Sequence, residues 1–366
     1  MKQLLFFFSG ILGLMLSSCS SGPAAEVQPN QWGARGFQLI HHPDGLDVVI
    51  INHLAEHPDS TIFEFRTSPD STQIRWPVQK IVTLSATQIG MVCLAEGISQ
   101  IAGIDDHRFL FSPALRDSFL QGRLEEVAVN QQMDIEKILA LEPDLVLSSR
   151  FTDGTDPQAV LLQEVGIPVL PIVEWQESAP LGRSAWALVV GGILGRYALT
   201  ESKLTSIRNR YDSLRQLAEG LSQRPLVITG SPYKGTWYVP AGDSFIARLI
   251  RDAGAQTGWE AKKGSGSLAL DPEAVFPIGM QAPFWIHPGT YLSLEELSST
   301  FPEYQDFPSV QHGRVYNYYK QSLPEGANAY WEEGSVRPDL VLEDLLRIFH
   351  PDLLDSASFT YYHSLP

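Results

Sequence analysis

Asp134-Ile-Glu-Lys-Ile-Leu-Ala-Leu-Glu-Pro-Asp-Leu-Val-Leu147 reads as a short helix that opens on an aspartate and runs into a buried strand. The side chain of Asp134 can accept hydrogen bonds from the free N–H groups of the first turn, and Glu136 sits where the helix dipole favours negative charge. The phrase returns further along: Asp271-Pro-Glu-Ala-Val-Phe276 leads into Pro283-Phe-Trp-Ile286. Helix capping alone is enough to account for Glu136 and Glu273.

Each copy sits in the same surroundings. Lys80 to Leu84, Gln100 to Ile104, Asp144 to Leu147 and Ile167 to Ile172 are apolar runs of strand length, separated by helices at Ser85 to Gly97 and Pro157 to Val165. After residue 225 come strands at Leu226 to Thr229, Phe284 to Ile286 and Val315 to Tyr319, with helices at Ser244 to Ala253 and Pro338 to His350. Strands alternating with helices imply parallel βαβ units and a sheet covered on both faces. The expected fold class is therefore α/β, with two Rossmann-like lobes.

Between the lobes, Leu204, Ile207, Tyr211, Leu214, Leu217 and Leu221 recur at spacings of three or four. That spacing places one apolar stripe on a helix over Thr200 to Leu221, roughly 30 Å long at 1.5 Å per residue. Either it joins both lobes or it is a surface helix of one of them. Ahead of the lobes, residues 37 to 76 alternate apolar and polar in short runs separated by turns such as Pro43-Asp44-Gly45, which reads as a small antiparallel region.

The first residues are a secretory address. Lys2 precedes an apolar run from Leu4 to Leu16, too short to span a bilayer comfortably. Leu16-Ser-Ser-Cys19 then looks like a bacterial lipobox, so Cys19 is the expected acylated residue. Ser20 to Asn30 is poor in residues that could be buried and suits a flexible tether. The expected organisation is a signal peptide (1–18), a lipidated tether (19–36), an N-terminal β region (37–77), an N-terminal lobe (78–178), linking helices (179–224), a C-terminal lobe (225–350) and a tail (351–366).

Composition narrows the function. With 366 residues, 44% of them hydrophobic, the chain can build large cores. Its net charge is −16 and it has no basic run in the folded part, which argues against a nucleic-acid partner. Its two cysteines, Cys19 and Cys93, can build neither a disulfide framework nor a thiolate metal site if Cys19 is acylated. Gly-x-Ser-x-Gly, His-Glu-x-x-His and P-loop motifs are all missing, so nothing positive supports the alternative of a secreted lipoprotein hydrolase.

Lys80-Ile-Val-Thr-Leu-Ser85, Asp134 through Val146, Gly166-Ile-Pro-Val169, Pro180-Leu-Gly-Arg183, Phe245 to Gly254 and Gly313-Arg-Val-Tyr316 together resemble the periplasmic binding proteins for vitamin B12, haem and ferric siderophores. The resemblance runs from about residue 78 to about residue 350. It implies a monomeric, non-enzymatic protein whose two lobes, joined by a single long helix, hold a solute between them and pass it to the membrane subunits of an ABC importer. It also implies that Glu136 and Glu273 dock onto those subunits. The protein would need no cofactor or metal of its own, since the ligand carries its metal with it.

Ligands of open parallel sheets bind beyond the carboxyl ends of the strands. In the first lobe that rule selects Ser85, Thr87, Asp105-Asp106-His107-Arg108-Phe109, Arg150 and Trp175. In the second it selects Tyr233, Lys234, Trp237, Tyr238, Gly264-Ser265, His287, Tyr319, Lys320 and Trp331. Aromatics with a few cations suit a large, partly apolar, anionic chelate. His107, His287 and Tyr319 are the candidates should haem or ferric ion be ligated directly. The scattered histidines count against a related zinc- or manganese-binding branch.

Overall fold

A computed structural model describes residues 29–43, 45–52, 60–66, 74–129, 132–149, 156–354 and 358–366. The signal peptide, Cys19 and Arg150 lie outside these residues.

Two five-stranded sheets form the two α/β lobes. In the first, the spatial order is Val169–Pro171, Leu145–Ser148, Ile81–Thr83, Ile101–Ile104, Glu125–Glu126, with every pair parallel. Counted along the chain from Ile81, this is a doubly wound 3-2-1-4-5 order, which reverses between Ile81–Thr83 and Leu145–Ser148. In the second, the order is Gln256–Thr257, Leu226–Thr229, Phe284–Ile286, Val315–Asn317, His363–Ser364, a 2-1-3-4-5 arrangement. Only its last pair is antiparallel. The central strands are buried on both faces, as their apolar runs require.

One helix, Tyr197–Glu219, serves both lobes. Leu204 and Ile207 belong to the core of the first, while Tyr211, Leu214 and Ala218 belong to that of the second. The stripe read from sequence thus faces two cores in succession. Its C-terminal end differs from that reading, because Leu217 is exposed and Ala218 takes the buried position.

The N-terminal strands Phe37–His42, Gly45–Asn52 and Ser60–Arg66 form an antiparallel sheet. Phe37, Leu46, Val48 and Ile50 join the first lobe's core, so this sheet is an extension of that lobe. Two of the expected boundaries are corrected. Residues 29–36, assigned to a tether, are packed: Trp32 and Ala34 are buried, and the Arg208 guanidinium lies 3.4 Å from the centre of the Trp32 ring. The Glu177 carboxylate anchors this stretch by accepting from the Arg35 and Gly36 N–H groups and from Trp186 Nε1. Residues 358–366, assigned to a tail, complete the second sheet. Asp344 accepts from the N–H groups of Thr360, Tyr361 and Tyr362, and both tyrosine side chains are buried.

Candidate functional site

The loops that follow three adjacent strands of the first sheet converge on a cavity of about 330 Å³. Ser85 and Ile89 come from beyond Ile81–Thr83, Asp105, Asp106 and Phe109 from beyond Ile101–Ile104, and Ser148 and Ser149 from the end of Leu145–Ser148. This is the crevice where the strand order reverses, the place that parallel sheets reserve for ligands. The second lobe closes it with Gly326, Asn328 and Trp331.

Local structure fixes these groups. Ser85 caps the helix Ala86–Leu94 by accepting from the Gln88 N–H, and its hydroxyl also meets Thr87 Oγ1 at 3.0 Å. Asp106 caps the turn His107–Phe109, and its two carboxylate oxygens accept from Arg108. That guanidinium holds the Asp106 carboxyl below the usual carboxylate range. Asn328 accepts from the Tyr330 N–H and so starts the short helix Ala329–Glu332, which carries Trp331. Among the described residues that line the cavity there is no His, Tyr or Cys.

Of the residues selected from sequence, the cavity brings together Ser85, Asp105, Asp106, Phe109 and Trp331, and Thr87 bonds to Ser85. His107 and Arg108 lie on the same turn but face elsewhere. His107 Nδ1 is bonded to Glu126 and its ring stacks on Phe119 at 4.7 Å. Asp106, His107 and Glu126 offer three ligand atoms within 4.8 Å of one another, a spacing a metal ion could use, yet Arg108 already neutralises Asp106. Trp175, Tyr233 and Tyr238 are largely exposed and line no part of the cavity.

Trp237 is a correction. It lies in the core of the second lobe and donates its Nε1–H to the Thr229 carbonyl. Strand Thr236–Pro240 alternates, turning Trp237 and Val239 inward and Tyr238 out to solvent. Lys234 adopts a left-handed turn conformation beside Tyr233 and is not in the cavity. Tyr319 packs on Tyr318, and the Lys320 ammonium is bonded to the Phe359 carbonyl. Gly264 donates its N–H to Asp243, outside the cavity. His287 is enclosed by Tyr318, Tyr330 and Tyr362, its Nε2 meeting the Tyr362 hydroxyl at 2.5 Å. Burial pushes its imidazole down to about 3, so it stays neutral. This ring cluster fills the space beyond strand Phe284–Ile286, so the second lobe reaches the cavity through residues 326–331 instead.

Sequence reasoning missed Ser148, Ser149, Met133, Gly326 and Asn328. The two serines follow directly from the rule that selected Arg150. Asn328 carried a helix-cap signal only.

Glu136 and Glu273 are exposed, one on each lobe. Each lies in the first turn of a helix, behind a capping aspartate: Asp134 accepts from the Lys137 N–H and Asp271 from the Glu273 N–H.

Residues 114–321, more than half of the chain, match the periplasmic binding protein family. The chain belongs to that family. It is a solute-binding protein of the cell envelope and not an enzyme. An uncharacterized lipoprotein of Methanocaldococcus jannaschii is 22% identical over 289 residues, covering 76% of this chain and 67% of that protein. An uncharacterized ABC transporter substrate-binding lipoprotein of Bacillus subtilis is 23% identical over 163 residues, covering 42% of this chain and 51% of the relative, about half its length. The crystal structure of a periplasmic heme binding protein from Pseudomonas aeruginosa superposes with a TM-score of 0.61 at 17% identity, covering 79% of this chain and 98% of the other. At that identity the likeness concerns the fold.

Proposed function

We propose that this periplasmic binding protein captures an iron chelate, haem or a cobalamin in the cavity between its lobes and delivers it to an ABC importer. The observation that carries this reading is the cavity itself: it lies at the switch point of the first sheet and is closed by an aromatic residue of the second lobe. Phe109 and Trp331 supply flat apolar surface, and Ser85, Ser149 and Asn328 supply hydrogen-bonding groups. Among the described residues of the lining there is no imidazole, phenol or thiol, and of its two carboxylates Asp106 is already paired with Arg108. This supports a ligand whose metal arrives already coordinated rather than a metal or cofactor of the protein's own. The protein acts as a monomer tethered through acylated Cys19, and Glu136 and Glu273 meet the importer's two membrane subunits.

Titration of the purified full chain with haem, ferric siderophores and cyanocobalamin, followed by tryptophan fluorescence, tests the ligand. Saturable submicromolar quenching is expected with one of them, and it should be lost with Trp331→Phe. Calorimetric silence with the whole panel would overturn the ligand class.

A further inference from the structure

Residues 326–335 of the second lobe are pressed against the first. Trp331 faces the cavity, and the next residue, Glu332, turns away from solvent between the lobes. One oxygen of its carboxylate accepts from the N–H groups of Phe111 at 2.8 Å and Ser112 at 3.2 Å, both in the first lobe. These two residues follow shortly after Phe109, the cavity's aromatic residue on that side. Gly326 completes the contact, since a Cβ there would stand 3.4 Å from the Phe109 ring. A single carboxylate therefore ties the segment that carries Phe109 to the helix that carries Trp331.

We propose that Glu332 is a positioning residue that sets the spacing between Phe109 and Trp331 and holds the two lobes together across the solute cavity. This rests on the cavity being the solute site.

The tie is sensitive to charge. Burial pushes the Glu332 carboxyl up to about 7, against the two N–H groups that favour its ionised form, and neighbouring Glu333 adds to the rise. Cys93, on helix Ala86–Leu94, has its thiol pushed up to about 12 and stays neutral. Arg183, beyond Tyr330, is engaged with Glu174 at 3.7 Å, and His287 beside Tyr330 is neutral. Among the described residues Glu332 has no salt-bridge partner. Were the lobes to part, the carboxyl would return to its ordinary value of about 4.3. Between the two values the joined form binds the proton more tightly. Lowering the pH through 7 therefore favours the joined lobes, and raising it weakens them. Protonated Glu332 still accepts through its carbonyl oxygen, and glutamine reproduces that state at every pH.

The test uses the full chain labelled with 5-fluorotryptophan, without ligand, with Trp331→Phe identifying the Trp331 fluorine resonance. The wild-type resonance should shift with a midpoint near pH 7 between pH 5.5 and 8.5. In Glu332→Gln it should stay at the wild-type low-pH position throughout, and in Glu332→Ala it should be displaced at every pH. A flat wild-type profile, or a Glu332→Gln protein that titrates like wild type, would overturn the proposal. If the alanine variant does not fold, the wild-type and glutamine profiles decide alone. Because no ligand is present, failure to bind haem, siderophore or cobalamin would strike the solute reading and leave this result standing.

Discussion

The carbonyl oxygen of Glu332 lies 1.8 Å from the point where a Cβ on Gly90 would stand. Gly90 is in the middle of the first lobe's helix Ala86–Leu94, where glycine costs helix stability relative to alanine. Here that cost admits the backbone of the second lobe. Gly90→Ala should force the lobes apart or strain the helix, lowering stability by about 1–3 kcal/mol as overpacking typically does. Thermal melting, together with hydrogen exchange at the Phe111 and Ser112 amides, checks it. Unchanged melting and slow exchange would show that the contact is looser than described.

His287 should make stability fall with acid. Its folded value of about 3 lies below the ordinary value near 6.5, so between these limits the unfolded chain binds a proton that the folded chain refuses. Its contribution is fully present above pH 6.5 and falls by up to about 1.4 kcal/mol for each pH unit below that. His287→Asn, chosen because asparagine tolerates the left-handed backbone at this position, should show a shallower loss between pH 6.5 and 4. Parallel denaturation profiles for the two proteins would contradict the neutral assignment.

The paired glutamates separate docking from capping. Glu136→Lys combined with Glu273→Lys should abolish uptake while leaving solute affinity intact. As helix-dipole partners the two are worth only about 0.3–1 kcal/mol each to stability, whereas truncating a well-buried interfacial charge pair costs about 2–5 kcal/mol. Normal uptake at normal expression would reduce both residues to their local role.

Cys19→Ala should release the protein from the membrane fraction or leave it unprocessed, because the proposed attachment runs through the acyl chains on Cys19. Unchanged fractionation of the variant would rule out the acylated cysteine.

Repeating patterns were legible in the sequence, and choices between two faces were not. Leu204, Ile207, Tyr211 and Leu214 span about three turns, enough to define a stripe, and both lobes' βαβ alternation was equally plain. Trp237 and Tyr238 are adjacent aromatics on one strand. Alternation says that one must point inward, but only the packing of Trp237 against Trp285 and Tyr304 says which. Tyr361-Tyr362 is too short a run to carry a period, and its burial depends on Asp344, sixteen or more residues away along the chain. The cavity followed from strand order for Ser85 and Phe109. On the second lobe the rule misled, because the ring cluster around His287 occupies the strand end that it selects.

The shared helix Tyr197–Glu219 also bears on how the molecule comes apart. Its first half is a wall of one core and its second half a wall of the other, with no break in the hydrogen-bond ladder between Ile207 and Tyr211. Neither lobe can melt without stripping one side from a helix that the other needs. Two separately wound sheets are thereby joined into one cooperative unit. Denaturant unfolding followed by Trp186, buried in the first lobe, and by Trp285, buried in the second, should give coincident transitions, with a slope set by the surface of the whole chain rather than of either half.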